Sequence, residues 1–314
     1  MSRPVDDVRR AVRVLLDEAG SPTRVAVAVS GGADSLALAA ATAQLADRRG
    51  LTPRGLIVDH GLQHGSADVA EHAAKQLLGL GFDDVRVLAV DVTGPGGPEA
   101  AARRARYAAL SAAAEGMPVL LGHTRDDQAE TVLLGLGRGS GPRSIAGMRP
   151  LDPPWGRPLL DLPRATTAAA CAELGLQPWQ DPHNSDPAFA RARLRHEVMP
   201  LLEEVLQGGV AGALARTAVQ LREDAEALDL LAARVLARVL RDGGIEAAAL
   251  SAEPAALRRR VLRRWLLDAG VRELTDAQLR SVDALVGDWR GQGGVWLTGG
   301  LVVSRAHGRL SVSG

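Results

Sequence analysis

Apolar residues in the first half of the chain alternate between short β-branched runs and longer helical stretches. The first run, residues 25–29, reads Val-Ala-Val-Ala-Val, and a helical pattern follows from about Ser35 to Arg48. The pairing recurs with strands at 55–59, 85–91 and 119–121 and helices at 68–78, 98–115 and from about Arg125. Such alternation is typical of right-handed βαβ units around a parallel sheet. It predicts an α/β fold over roughly residues 20–185, with a parallel, Rossmann-like sheet and helices on both faces.

The pattern changes after Trp179. A turn-rich segment at 181–187 precedes long helical patterns that run from Arg191 to about Arg241. Two more helical segments begin at Pro254 and near Thr275, a plausible N-cap, and a hairpin is expected around Gly299-Gly300. A length of 314 residues suits two domains. We predict a catalytic α/β domain at 1–206, a helical linker at 207–245 and a small α+β domain at 246–314.

Composition limits the classes of function. Cys171 is the single cysteine, which excludes an intramolecular disulfide and a cysteine-based metal or iron–sulfur site. The chain has no apolar run of membrane-spanning length and no secretory signal, so we expect a cytoplasmic protein without a membrane partner. A net charge of zero leaves nucleic-acid binding open, because phosphate contacts need only a local basic face. The oligomeric state is not predicted.

A glycine-containing loop joins the first strand to its helix. Adjacent glycines let the backbone approach an anion closely, and the helix N-terminus adds a positive field for phosphate. Hydroxyl groups in the loop can donate further hydrogen bonds, and an aspartate beside phosphate calls for a cation, so we assign that aspartate to Mg²⁺. The alternative is a plain turn followed by a helix cap. The predicted ATP-binding residues are Ser30, Gly31, Gly32, Ala33, Asp34 and Ser35.

A second polar string, residues 122–131, follows the fourth strand, where open α/β sheets bind ligands. Asp127 and Glu130 are three positions apart and share one face of the predicted helix. Two carboxylates on one face can hold an ammonium group or a metal, or they can cap the helix and bind solvent. His123 fits a structural role as well as a functional one.

These motifs resemble a known family. The loop Ser-Gly-Gly-x-Asp-Ser is that of the ATP pyrophosphatases, or PP-loop enzymes, and the 122–131 string is similar to the signature of tRNA(Ile)-lysidine synthases and their thiolating relatives. Further similar segments lie at 58–62, 99–107, 138–141, 181–184 and 191–200. The resemblance covers about residues 21–206 and continues less specifically over 250–312. Ala192 departs from the family's usual asparagine, and one cysteine is too few for the thiolating branch.

The resemblance implies a reaction and its partners. ATP, with Mg²⁺ at Asp34, would adenylate the first anticodon cytidine of a tRNA(Ile) with a CAU anticodon, and free L-lysine would displace AMP. Asp127 with Glu130 would hold the lysine ammonium group. Arg191 and Arg195 are four apart on one predicted helix face and can stabilise phosphate charge, or they form a solvated face. Asp34, Asp127, Glu130, Arg191 and Arg195 are thus the predicted catalytic residues.

A basic segment lies in the predicted C-terminal domain. Five arginines fall within seven residues: Arg258, Arg259, Arg260, Arg263 and Arg264. They are expected to contact the tRNA backbone, with a salt-bridged surface helix as the alternative. Two other functions remain open: a PP-loop synthetase that adenylates a small molecule, and a non-catalytic nucleotide-binding module.

Overall fold

The computed structural model describes residues 2–61, 65–94, 97–139, 141–181 and 186–314, apart from the side chains at 98 and 99. Parts of the family-like segments, namely Leu62, Ser140 and residues 182–184, lie outside the described residues. The chain forms two compact units, one of Met1–Gly137 with Gly147–Ala218 and one of Arg138–Ala146 with Val219–Gly314. The three-part division at 206 and 245 stays a prediction.

The first unit is built on a mostly parallel sheet. Its strands are β1 (Arg24–Val29), β2 (Thr52–Asp59), β3 (Asp84–Ala89), β4 (Val119–Leu120), β5 (Leu151–Asp152) and β6 (Trp155–Gly156). They lie in the order β3-β2-β1-β4-β6-β5, and only the β5–β6 pairing is antiparallel among the described strands. The predicted α/β class is confirmed, whereas β5 and β6 were not predicted.

Helices cover both faces of this sheet because the central strand is apolar on both. The helices are α1 (Pro4–Glu18), α2 (Ala33–Arg49), α3 (Ser66–Gly79), α4 (Gly97–Ala114), α5 (Arg125–Gly137) and α7 (Arg164–Glu173). The short helix α6 belongs to the second unit. Val25 and Val27 point into the core formed with α1, α2, α3 and α7, and Ala26 points to α4 on the other face. α1 was not predicted, although its buried Val5, Val8, Val12, Leu15 and Leu16 follow a helical period.

A π-helical turn interrupts the helix that ends this region. α8 (Ala190–Arg193) leads into the π turn Leu194–Val198 and then into α9 (Met199–Val205). Pro200 has no N–H with which to continue the α-helical ladder, and Met199 N–H instead bonds to the carbonyl of Leu194, five residues back. This wider turn contains Arg195.

α10 (Val210–Val239) contains the boundary between the two units. No single helix in the described part of the chain is long and apolar enough to cross a membrane. One pair of helices, 190–205 and 210–239, meets those criteria jointly, with a bend of 95° between its members.

The second unit packs helices on one face of an antiparallel sheet. Its elements are α6 (Pro142–Ile145), β7 (Leu240–Arg241), β8 (Gly244–Glu246), α11 (Ala247–Ser251), α12 (Ala255–Asp268), α13 (Asp276–Gly287), β9 (Val295–Trp296), β10 (Val302–Ala306) and β11 (Arg309–Ser313). Leu262, Leu266 and Val303 lie in its core. Thr275 caps α13 in a capping box with Gln278, and β9 pairs with β10 across Gly299-Gly300, so both predictions are confirmed.

Candidate active site

The predicted nucleotide loop lies between β1 and α2. Gly31 adopts φ of +81°, a conformation that favours glycine, and the loop then enters α2 at Ala33. The Ser35 hydroxyl accepts from the Ser30 N–H at 3.1 Å and donates to the Gly32 carbonyl at 2.9 Å. The N-cap residue, Gly32, has no side chain to cap the helix, so the first N–H groups of α2 stay available to an anion. The loop has the geometry of a phosphate cradle.

Gly122, at the end of β4, allows the acidic string to lie directly against this loop. A Cβ at position 122 would lie 3.0 Å from both the carbonyl carbon of Asp34 and the backbone nitrogen of Ser35. Backbone atoms cannot give way as a flexible side chain can. The loop and the β4 end are therefore held at a fixed separation.

We expect Gly122→Ala to displace the loop and to lower kcat/KM for ATP at least about tenfold, because small misplacements of reacting groups are costly. Steady-state kinetics of AMP release would measure the effect. Gly137→Ala is the matched control, since a Cβ there meets nothing within 4 Å. Equal kinetics for the two variants would contradict the prediction.

Three carboxylates from α2 and α5, those of Asp34, Asp127 and Glu130, form an acidic pocket. An arginine that was not among the predicted site residues lies in it. Asp34, Asp127 and Glu130 converge on the guanidinium group of Arg164, the first residue of α7. Arg164 Nε lies 3.2 Å from Asp34 Oδ2, Nη2 lies 2.6 Å from Asp127 Oδ1, and Nη1 lies 3.7 Å from Glu130 Oε1. The Arg164 backbone N–H also donates to Asp126 Oδ2 at 2.8 Å. Arg164 was not predicted.

Arg195 completes the pocket from the π turn. Its Nε donates to Glu130 Oε1 at 2.8 Å, and its Nη2 lies 3.2 Å from both Glu130 Oε2 and Asp127 Oδ1. Arg191 takes a different position. Arg191 is an electrostatic neighbour of Arg106 and contacts none of the three pocket carboxylates. The structure thus brings Asp34, Asp127, Glu130 and Arg195 together, without Arg191.

Asp127 also caps its own helix. Its Oδ2 accepts from the backbone N–H of Thr124 at 2.8 Å and from the Thr124 hydroxyl at 2.9 Å. Asp127 therefore combines two roles that the sequence left open: it caps a helix and it binds cationic groups, here the guanidinium groups of Arg164 and Arg195.

Electrostatics differ between the carboxylates. Burial raises the pKa of Asp34, and the hydrogen bond from Thr167 and the charge of Arg164 offset this only in part. For Asp127, burial acts to raise the pKa, but Arg164, the Thr124 N–H, His123 and Arg195 outweigh it and lower the pKa. The charge of Asp34 is thus less well compensated than that of Asp127.

His123 lies between Asp127 and a set of arginines. Burial, opposed by Asp127 and reinforced by Arg106 and Arg157, lowers the pKa of His123 to about 3, so its imidazole is neutral at pH 7. Its Nδ1 is buried and has no hydrogen-bond partner in the part of the chain that the structure describes.

The arginine cluster of the second unit is partly neutralised within α12 and its neighbours. Arg258 is held by Asp283, with hydrogen bonds of 2.8 and 3.2 Å, and Arg260 lies 2.7 Å from Asp229. Both arginine side chains are only 16% exposed, so they serve internal ion pairs. Arg264 is 69% exposed and pairs with Asp268 one turn along the same helix. The salt-bridged alternative thus describes Arg258, Arg260 and Arg264.

Arg259 and Arg263 are less tightly bound. Arg259 lies 3.7 Å from Asp283, a contact longer than a hydrogen bond. The Nε of Arg263 is buried and has no hydrogen-bond partner among the described residues. A tRNA contact of Arg258, Arg259, Arg260, Arg263 and Arg264 stays a prediction.

Two family models match separate parts of the chain. A PP-loop domain model matches residues 5–202, and a TilS substrate binding domain model matches residues 246–311. The U34-tRNA thiolase NcsA from Methanococcus maripaludis has a similar fold, with a TM-score of 0.59 and 19% identity over 70% of this chain and 80% of that one.

Closer relatives carry one name. The tRNA(Ile)-lysidine synthase of Rhodococcus erythropolis is 58% identical over 96% of this chain and 94% of its own length. Those of Mycolicibacterium paratuberculosis and Mycobacterium tuberculosis are each 61% identical, over 94% and 87% of this chain and 91% and 84% of their own lengths. With a nucleotide loop, an adjoining acidic pocket and both domain types in the family's order, the chain belongs to the tRNA(Ile)-lysidine synthase family of PP-loop enzymes.

Proposed function

We propose that the protein is a tRNA(Ile)-lysidine synthase that uses ATP to join free L-lysine to the first anticodon cytidine of a tRNA(Ile) with a CAU anticodon, in the cytoplasm. The observation that carries the proposal is the direct contact of Arg164 with both Asp34 of the nucleotide loop and Asp127 of the acidic pocket. This contact brings the two carboxylates into one cluster, which supports a phosphate site beside an ammonium site, as a transfer between them requires.

The loop residues Ser30 to Ser35 bind the triphosphate of ATP in this proposal. Main-chain N–H groups at the start of α2 and the Ser30 hydroxyl supply the donors, and the Ser35 hydroxyl, which donates to the Gly32 carbonyl, holds the loop in shape. A base oxygen then attacks the α-phosphorus, the bond to the β-phosphate oxygen breaks, and pyrophosphate leaves.

Asp34 is the proposed Mg²⁺ ligand. Among the described residues, no group of three or more His, Cys, Asp or Glu side chains could hold a metal by itself. One carboxylate fits Mg²⁺ nevertheless, because this ion is commonly held by one or two carboxylates together with substrate phosphates and water. Bound there, it would neutralise phosphate charge.

Asp127 and Glu130 are proposed to hold the side-chain ammonium group of lysine. After the amine loses a proton, its nitrogen attacks C2 of the adenylated cytosine. The C2–O bond breaks, AMP leaves, and the new C–N bond forms lysidine. Arg195 is proposed to stabilise phosphate charge through its position beside both carboxylates, and Arg191 to do so from the neighbouring arginine group.

The proposal is tested with ATP labelled in its α- and γ-phosphates, incubated with and without tRNA(Ile) and lysine. We expect AMP and pyrophosphate release to require tRNA, and labelled lysine to enter the tRNA. Pyrophosphate release without RNA would favour the small-molecule synthetase. ATP that binds and stays intact would favour the non-catalytic module.

The arginines Arg259, Arg263 and Arg264 are proposed to contact the tRNA backbone. We expect the double variant Arg259→Glu and Arg263→Glu to bind tRNA at least about tenfold more weakly, with a salt slope reduced by roughly one to two. Filter binding at several salt concentrations measures both quantities.

The matched control is Arg280→Glu on α13, where the arginine is 61% exposed and paired with Asp276. A double variant that binds tRNA like this control at every salt concentration would remove α12 from the tRNA-binding surface.

A further inference from the structure

The guanidinium group of Arg164 occupies the place where substrates are proposed to bind. Three carboxylates, Asp34, Asp127 and Glu130, face two guanidinium groups, those of Arg164 and Arg195. The two proposed cationic ligands, Mg²⁺ at Asp34 and an ammonium group at Asp127 and Glu130, would both replace contacts of Arg164.

Asp127 has no spare acceptor position for an amine in this arrangement, and Glu130 is almost fully buried. Asp127 Oδ1 accepts from Arg164 and Arg195, and Asp127 Oδ2 accepts twice from Thr124. Both oxygens of Glu130 accept from Arg195, and the Glu130 side chain is only 2% exposed. A carboxylate offers about four lone-pair positions, so Asp127 is saturated. An incoming ammonium group must displace one guanidinium group.

Arg164 and Arg195 are bound differently. Arg195 binds both oxygens of Glu130 through two nitrogens in a fork-like arrangement. Arg164 reaches the nucleotide loop through a 3.2 Å bond to Asp34, besides a 2.6 Å bond to Asp127 and a 3.7 Å contact with Glu130. Its side chain is as exposed as that of Arg195, 27% against 26%. A cation that binds to Asp34 therefore competes directly with Arg164.

The nucleotide loop supplies an alternative partner. Asp34 lies in that loop, so a triphosphate bound there would place several negative charges next to Arg164, while Mg²⁺ would take over Asp34. We propose that Arg164 is a positioning residue that exchanges partners: it closes the amine pocket in the free enzyme and moves to the nucleotide phosphates when Mg²⁺·ATP binds. Amine binding is thereby made to follow nucleotide binding. This inference rests on the proposed function.

Thermodynamic linkage makes the exchange measurable. If nucleotide removes the cation that competes with lysine, then each ligand tightens the binding of the other by the same factor. For the wild-type protein we expect magnesium with the non-hydrolysable analogue AMPCPP to lower the Kd of L-lysine at least about tenfold. Isothermal titration calorimetry of L-lysine, with and without that analogue, gives the factor directly.

The deciding variant is Arg164→Gln. Without nucleotide it is expected to bind L-lysine about tenfold more tightly than wild type, and the coupling factor should fall to below about two. Arg164→Lys keeps the positive charge but lacks the several N–H donors of a guanidinium group. It should therefore retain part of the coupling between nucleotide and lysine binding. Arg193→Gln is the charge-matched control, because Arg193 pairs with Glu197 at the surface, and it should couple like wild type.

A residue with a merely structural role would weaken lysine binding with and without nucleotide alike. Arg164→Gln that binds lysine no more tightly than wild type, or that keeps the wild-type coupling factor, overturns the inference. An equal Kd of L-lysine for the wild-type protein with and without the analogue would also overturn it. If Arg164→Gln fails to fold, Arg164→Lys decides, and full wild-type coupling in that variant counts against the inference.

The proposed function is assayed separately, by lysine incorporation into tRNA(Ile) by the wild-type enzyme. Coupled binding of lysine without incorporation would refute the function and leave the partner exchange standing. Lysine incorporation by the wild-type enzyme, together with a wild-type coupling factor in Arg164→Gln, would support the function and refute the partner exchange.

Discussion

Asp34→Asn is expected to lower the rate of tRNA-dependent AMP release roughly a hundredfold to a thousandfold, the range seen when one electrostatic stabiliser of a transition state is removed. Asparagine has nearly the same shape and can still accept the hydrogen bond from Thr167. It lacks the negative charge that is proposed to hold Mg²⁺, so the loss should reflect chemistry rather than folding.

The measurement is a titration of AMP release against magnesium concentration. Asp47→Asn is the matched control, because Asp47 lies on the same helix, α2, at the exposed end. High magnesium should restore part of the activity of Asp34→Asn. A variant with wild-type rates at low magnesium would exclude Asp34 as the metal ligand.

Glu130→Gln should separate the two halves of the reaction. Glu130 is almost fully buried and accepts two hydrogen bonds from Arg195. The proposed ammonium group of lysine would also lose its charged partner; loss of one member of a buried, hydrogen-bonded charge pair in a binding site costs about 2–5 kcal/mol, so we expect the KM for lysine to rise about a hundredfold. Adenylation, measured as tRNA-dependent exchange of pyrophosphate into ATP, should stay within about threefold of wild type.

Glu71→Gln provides the comparison, because the Glu71–Lys75 pair is exposed and such pairs are worth about 0–1 kcal/mol. Thermal unfolding of both variants checks that Glu130→Gln is folded at the assay temperature. An unchanged KM for lysine, or an equal loss of both half-reactions, would move the amine site away from Glu130.

Local patterns were sufficient for strands β1 to β4, the loop and the cap at Thr275. Each depends on residues close together in the chain: a β-branched run followed by two glycines predicts a strand, a turn and a helix. Thr275 with Gln278 is likewise a local signal, and the structure has that capping box. The helix α1 had such a signal as well, in the spacing of its buried valines and leucines, and it was overlooked.

Partners that are distant in sequence could not be inferred in this way. Arg164 lies 130 positions from Asp34, and nothing near it in the sequence marks it as a partner for carboxylates. Arg191 and Arg195 were placed together on the assumption of a regular α-helix. In the structure Arg195 contacts Glu130 and Asp127, whereas Arg191 lies near Arg106.

The sequence by itself determined that this protein has an α/β nucleotide domain with a phosphate loop after its first strand, because loop geometry and periodicity are local properties of the chain. The tertiary structure decided the state of the acidic pocket, since charge balance depends on which side chains meet across the fold. It showed that Asp34, Asp127 and Glu130 already share two arginines, and that Arg258 and Arg260 are used in internal ion pairs.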